Sequence, residues 1–426
     1  MRYVELFAGC GGMLLGFHRA GWEAIFAVEK DPMAFDTLHA NFIASGAAFP
    51  DFANWPDWLE LRPWDIEELL ANDDVRESLK GLRGSLDLVT GGPPCQGFSV
   101  GGARNGSDNR NRLVNHFLAF VELTMPRAVL IENVEGMARR FDAKPGGFAR
   151  SPADEVVDAL GALGYTAVQL VVDASLFGVP QLRRRLAIFG VRGHCLGLEE
   201  MVRWQLKASR THVRKSLRLP VDRFITAREA IEDLDGSKRA VCPDSPKYQS
   251  GTYSGPARSA YARAMRAGIA SKQTPDSHRF SVHGDRILGW YRLAHRTQPP
   301  GRLSRAFMES LGTKKDKKVL IDPDAPVSTI TTHPDEFIHY KHPRNVTVRE
   351  MARLQSFPDN FVFRGRYTIN GPRRRFDVAR CSQVGNAVPP LLAQGVAIAV
   401  EQLLCEMDRA LLPEIDDVSS LRRQLG

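Results

Sequence analysis

Long hydrophobic runs are missing from this 426-residue chain: no apolar stretch approaches the roughly 18 residues that a bilayer-crossing helix needs. No secretory leader is expected either, because residues 2–6 read at once as a strand with no basic region and apolar stretch ahead of them. Neither secretion nor a membrane is therefore expected, and the cytoplasm is the expected compartment. Cysteine is scarce. The six present, Cys10, Cys95, Cys195, Cys242, Cys381 and Cys405, show no paired spacing of zinc or redox type, which excludes a disulfide scaffold and gives no ground for expecting a metal site. There is no acidic surplus either: 57 lysines and arginines stand against 49 aspartates and glutamates, a net charge of +8. That balance points to an anionic partner.

What the chain does have is centred on Leu88-Val89-Thr90-Gly91-Gly92-Pro93-Pro94-Cys95-Gln96-Gly97-Phe98-Ser99. An apolar run over 86–90 reads as a buried parallel strand, and open α/β sheets bind ligands at the carboxyl ends of such strands. Pro93 and Pro94 fix two φ angles and remove two donors, so the turn that carries Cys95 is stiff. Cys95 reads as a nucleophile, against the alternative of a small buried hydrophobe.

Upstream, residues 2–6 predict a strand, Phe7-Ala8-Gly9-Cys10-Gly11-Gly12 a glycine-rich turn, and 13–19 a helix whose free N–H groups face a ligand. The next strand, 24–28, ends at Glu29-Lys30, where a carboxylate takes ribose hydroxyls in nucleotide-binding folds. Asp31-Pro32 caps the helix that follows. The spacing Phe-x-Gly-x-Gly-Gly differs from the dinucleotide pattern and favours an adenosyl ligand without a pyrophosphate. Trp64-Asp65-Ile66 offers that ligand an acidic edge and an apolar wall, or is an ordinary loop. Residues 97–112 are rich in glycine and poor in apolar side chains, which beside a nucleophile reads as a lid. A helix follows over 113–123. The strand over 128–131 then ends in Glu132-Asn133-Val134, a second carboxylate at a strand tip, and its position directly after Val-Leu-Ile favours a raised pKa. In Gln181-Leu182-Arg183-Arg184-Arg185, alternation along an extended segment sends Gln181, Arg183 and Arg185 to one face, suited to a pyrimidine carbonyl and phosphates.

These blocks, in this order, resemble the DNA (cytosine-5)-methyltransferases of bacterial restriction-modification type. Residues 347–359, Thr-Val-Arg-Glu-Met-Ala-Arg-Leu-Gln-Ser-Phe-Pro-Asp, and 383–390, Gln-Val-Gly-Asn-Ala-Val-Pro-Pro, resemble the last two motifs of that family. The resemblance implies S-adenosylmethionine as cofactor and duplex DNA as substrate, with the target base flipped out of the helix. It implies that Cys95 attacks C6 of cytosine, that Glu132 bonds N3 and the exocyclic amine, and that Arg185 with Arg183 holds O2. Phe7, Ala8, Gly9, Gly11, Gly12, Glu29, Lys30, Asp65, Ile66, Pro93, Leu113, Asn386, Ala387 and Val388 match the cofactor-binding positions. A restriction endonuclease acting on the same site is an implied partner, the nucleoid an implied location, and a monomer the expected state. An RNA cytosine-5 methyltransferase of the same fold would share these residues and is the alternative.

The architecture expected is α/β, a Rossmann-like S-adenosylmethionine-dependent methyltransferase sheet, mixed but mostly parallel. It takes residues 1–193 and 377–426, with a smaller target-recognition domain over 194–345 and a hinge over 346–376. In the recognition region, Thr226-Ala227-Arg228-Glu229 is a capping box, residues 258–266 a basic helix, and Lys314-Lys315-Asp316-Lys317-Lys318 a run suited to phosphate contacts. Two stretches break the family pattern: 365–380, with Arg373-Arg374-Arg375, reads as an insertion, and the tail beyond Leu403 matches nothing.

Overall fold

The computed structural model describes the chain except for residues 53, 95–111, 140–149, 271–272, 314–316, 334, 369–376 and 412–426. The first half alternates strand and helix: β1 (Arg2–Leu6), α1 (Gly12–Arg19), β2 (Glu23–Val28), α2 (Pro32–Phe42), α3 (Ile66–Ala71), α4 (Asp73–Gly81), β3 (Leu88–Gly91), α5 (Arg112–Thr124), β4 (Ala128–Val134), α6 (Pro152–Ala162), β5 (Tyr165–Asp173), β6 (Gln181–Leu182) and β7 (Arg184–Arg192). Six of these strands form one sheet in the order β2-β1-β3-β4-β7-β5. The first four run parallel, and β7 lies antiparallel between β4 and β5. The mixed sheet is thus the one expected. Its central strands are buried on both faces, so Leu88-Val89 and Val129-Leu130-Ile131 are continuous apolar runs rather than alternations.

Helices cover both faces. Asp31 caps α2 by accepting the N–H of Ala34 at 2.9 Å, with Pro32 in the first turn. Beyond β7 come α7 (Leu198–Ser216), α8 (Ala227–Ile231), β8 (Arg239–Val241), β9 (Gln249–Gly251), α9 (Ala260–Met265), α10 (Asp285–Thr297), β10 (Gly301–Arg302), α11 (Arg305–Ser310), β11 (Val319–Leu320), β12 (Val327–Ser328), β13 (Phe337–Ile338), α12 (Val348–Leu354), α13 (Arg380–Asn386) and α14 (Pro390–Leu411). The chain returns with α14, which packs between α1 and α7. A Cβ on Gly16 would fall 2.4 Å from Ala393, so glycine lets α1 and α14 meet backbone to backbone. The stretch Arg380–Ala410 is long and apolar enough to cross a membrane, contrary to the reading of the sequence. Two-thirds (67%) of its apolar 18-residue window is buried in this core, which is why it is apolar.

A small separate core of Tyr291, Ala294, Leu303, Phe307, Met308, Leu320 and Ile338 lies around the sheet β10-β11-β13. Of the other elements between residues 194 and 345, α7 packs on α14, and β12 pairs with β6 in a two-stranded sheet of their own. The Thr226–Glu229 capping box opens α8 as expected. The expected basic helix is α9, capped by Ser259. Within the lysine run, Lys318 departs from the reading: it is buried and donates to Tyr291 Oη and the Asp335 carbonyl, so it is unavailable to phosphate, whereas Lys317 is exposed. Lys314, Lys315 and Arg373-Arg374-Arg375 lie outside the described residues.

A buried ion network ties α12 to the segments that follow α8 and α12. Arg353 of α12 is fully buried, meets Asp359 at 2.6 and 2.7 Å and Asp233 at 3.1 and 3.3 Å, and donates to the Ala230 carbonyl. Burial pushes the Asp359 carboxyl up, but Arg353 holds it below the usual carboxylate range. Removing the cation leaves Asp233 to Arg266 but leaves buried Asp359 without an ion-pair partner, which costs about 3–5 kcal/mol. Arg353→Met should therefore lose that much stability in chemical denaturation at neutral pH; a loss under about 1 kcal/mol, as from a surface pair, would show that the network is solvated.

Candidate active site

Two clusters form at the carboxyl ends of the parallel strands. The first sits on β1 and β2. Phe7 and Gly9 both have left-handed backbone, φ 57°, where the chain turns from β1 toward α1. The turn is held by Glu29 at the tip of β2. Its Oε2 accepts the Gly9 N–H and its Oε1 the Asp31 N–H, each at 2.8 Å. Burial raises the Glu29 pKa, and the two N–H groups oppose that rise. The Glu29 carbonyl takes the Trp64 N–H at 2.9 Å, which brings the next loop alongside. There Asp65 caps α3 through the Glu67 N–H, and its other oxygen lies 3.6 Å from Lys30 Nζ. Ile66 is buried, and Phe7 and Leu113 pack from the surface onto the same apolar cluster. A Cβ on Gly12 would fall 2.5 Å from the Val388 carbonyl and 3.1 Å from Ala387 Cβ, so the returning 386–388 segment closes directly on the glycine turn. Gly11 faces Phe42, and Ala8 is buried. Phe7, Gly9, Glu29, Lys30, Asp65, Ile66, Ala387 and Val388 are thereby gathered around one turn from segments far apart in sequence.

The second cluster sits on β3, β4 and β7. Antiparallel pairing sets Val134 opposite Arg185 and Glu132 opposite Ala187. The Arg185 Nε reaches Glu132 Oε1 at 3.0 Å. Both side chains are mostly buried, at 13% and 17% exposure. Burial lifts the Glu132 pKa, and Arg185 and then Arg183 pull it back; the net shift is upward, as the sequence suggests. Gly92, the first residue past β3, is so near that a Cβ there would lie 3.1 Å from Glu132 Oε2. Asn133 Nδ2 donates to the Pro93 carbonyl at 3.0 Å, fixing the start of the Pro-Pro turn to the tip of β4. Cys95, and the expected lid as far as residue 111, lie outside the described residues. The turn that leads to Cys95 nonetheless stands beside a protonatable acid and a cation.

The alternation of Gln181, Arg183 and Arg185 holds, but the three residues are used differently. Only Arg185 reaches the acid. Arg183, 1% exposed, donates to the carbonyls of Ile330, Gly385 and Ala387 at 3.0–3.1 Å. Gln181 is also buried, donates to Gln355 Oε1 and the Leu354 carbonyl, and accepts the Ile330 N–H. Both therefore lock the tip of β7 to α12 and to the 385–387 segment. This disagrees with a direct hold on a base by Arg183: its Nη atoms are already committed to carbonyls. Its charge still bears on Glu132. Asn133 and Arg353 were read in the sequence only as motif letters; side-chain bonds to partners 40 and 120 residues away leave no local pattern to read.

Known proteins share this chain's sequence and shape. The profile of a family described as C-5 cytosine-specific DNA methylase matches residues 1–402. Type II methyltransferase M.DdeI of Desulfomicrobium norvegicum is 29% identical over 407 residues, covering 93% of this chain and 88% of the relative. Type II methyltransferase M.AgeI of Thalassovita gelatinovora is 30% identical, with coverage of 94% and 99%. A crystal structure of a putative DNA modification methyltransferase encoded within an Escherichia coli prophage superposes with a TM-score of 0.61 at 23% identity, covering 95% of this chain and 99% of that one. The S. pombe Dnmt2 methyltransferase gives 0.52 at 15% identity, with coverage of 96% and 99%. At those identities the two structures speak for the fold.

Proposed function

This chain belongs to the C-5 cytosine-specific DNA methylase family, and we propose that it methylates C5 of a cytosine within one short duplex DNA sequence through a covalent Cys95–C6 adduct. It is a DNA (cytosine-5-)-methyltransferase of a family that depends on S-adenosylmethionine. The observation that carries the finer reading is the Glu132–Arg185 pair beside the turn that leads to Cys95. A neutral pyrimidine resists attack at C6 unless charge developing on the ring is met by a donor at N3. Glu132, kept protonated toward higher pH by burial, supplies that proton. Arg185 turns Nε to Glu132 and gives Nη1 to the Arg184 carbonyl at 2.8 Å, which leaves Nη2 to present to O2. Addition of the Cys95 thiolate at C6 makes C5 nucleophilic enough to take up the methyl group; loss of the C5 proton then expels the thiolate, N3 returns its proton to Glu132, and the ring is restored as 5-methylcytosine.

The residues of the first cluster fit S-adenosylmethionine, which when bound supplies the electrophilic methyl group. Glu29 would take the ribose hydroxyls, Asp65 and Ile66 would edge the adenine, and Phe7, Gly9 and the 386–388 segment would enclose the remainder. Glu29→Gln keeps an acceptor for the Gly9 N–H but removes the charge. It should weaken cofactor binding by about 1.5–3 kcal/mol in calorimetry with DNA affinity nearly unchanged, and equal cofactor affinity would remove Glu29 from the ribose.

Duplex DNA would lie between the large sheet and the recognition region, with residues 346–376 as hinge. We take the protein to act as a monomer in the cytoplasm, alongside a restriction endonuclease of the same specificity. Bisulfite sequencing of DNA from a host expressing the chain should show methylation at every copy of one short sequence. No methylated DNA, or methylation confined to RNA, would contradict the proposal.

A further inference from the structure

At the margin of the sheet opposite β2, β5 is the outermost strand. The 193–195 segment covers its start, through Gly193 and Cys195 bonds to Thr166. Beyond that, among the described residues, no strand pairs with its outer edge. The sequence Tyr-Thr-Ala-Val-Gln-Leu-Val-Val-Asp holds neither lysine nor proline, which proteins commonly use to blunt an open edge. A cleft of about 200 Å³ runs beside the end of this strand, with Leu170, Val172 and Phe177 in its lining and Arg203, Lys207 and Arg210 of α7 on its wall. Nearby apolar surface stays open: Val171 and Leu176 are 40% and 39% exposed. Arg203 shares its charge with Glu199 at 2.7 Å. Among the described residues no ion pair takes up Lys207 or Arg210. An unpaired edge, an apolar lining and a cationic wall together suit an extended segment that carries both apolar and acidic side chains.

We propose that residues 412–426 of this same chain occupy the cleft as a strand added to β5. The helix that precedes them, α14, lies along the opposite side of α7, where Glu406 Oε1 meets Gln205 Nε2 at 2.6 Å. Rounding α7 follows half the circumference of a helix about 10–12 Å across, about 16–19 Å, which five or six extended residues cover at about 3.3 Å each. That brings Asp416-Asp417-Val418 to the level of Arg203 and Arg210. The two acids then meet the cationic wall, and Val418 meets the apolar lining. A second copy of β5 would instead carry its own three cations to the same place, a like-charge contact that disfavours a dimer here.

Hydrogen exchange of the outward-facing amides in 167–173 tests this. Ending the chain at Leu411 should speed their exchange about tenfold or more, as loss of about 1.4 kcal/mol of protection gives. Lys207→Glu with Arg210→Glu in the full chain should do the same with the melting temperature little changed. A synthetic peptide of residues 412–426 should restore protection to the shortened chain, less so at high salt. Equal exchange with and without the tail would overturn the proposal, as would protection that grows with protein concentration in the shortened chain, the mark of a second copy.

Discussion

Replacing Glu132 by glutamine should lower kcat by about 10²- to 10⁴-fold, the usual worth of a positioned proton donor, with little change in DNA affinity. Glutamine keeps the size and can still hydrogen-bond the ring, but it has no proton to give to N3 as C6 is attacked. The pH dependence separates this role from a structural one. Burial raises the Glu132 pKa above its ordinary value even against Arg185 and Arg183. The active form is the protonated one, so this group contributes a limb of kcat/KM that is full at low pH and falls as pH rises through the raised pKa. In Glu132→Gln that limb should vanish from the residual activity. A variant with wild-type kcat, or one that keeps the limb unchanged, would take the proton-donor role from Glu132. An exposed pair could not support this argument, because solvent would hold Glu132 near its ordinary pKa and screen the neighbouring arginines.

The parts of this site that the sequence displays are those made by neighbours in the chain. The glycine turn, Glu29 after a strand and Asp31-Pro32 before a helix each declare themselves within a few residues, because strand ends and caps are local events. Glu132 is legible for the same reason: an acid directly after Val-Leu-Ile at a strand tip has to be either partnered or protonated. The assignments that differ were decided by distant partners. Gln181 and Arg183 point where alternation sends them, yet α12 and the 385–387 segment arrive there first and take their donors. Lys318 sits at the end of a charged run, yet Tyr291 and Asp335 bury it. The apolar α14 is so apolar because both α1 and α7 cover it. The Arg353 network draws on Asp233, 120 residues away, and no periodicity marks such a pair.

Cys95 itself lies outside the described residues, so the chemistry assigned to it rests on the turn that leads there, on Glu132 and Arg185 beside that turn, and on membership of the family. A thiol acting as nucleophile at neutral pH is helped by nearby positive charge, since an unperturbed cysteine is only a few per cent thiolate. In the proposed reaction the enzyme is released only when the C5 proton leaves. Fluorine at C5 cannot leave as a proton, so methyl transfer to a 5-fluorocytosine target should stop at the adduct. The decisive measurement is therefore denaturing electrophoresis of the protein after incubation with S-adenosylmethionine and duplex DNA carrying 5-fluorocytosine at the site found by bisulfite sequencing. The wild-type chain should give a protein–DNA species that survives boiling in detergent, and Cys95→Ala should give none. A Cys95→Ala protein that still methylates DNA, or a wild-type protein that forms no covalent species at a site it methylates, would contradict the account.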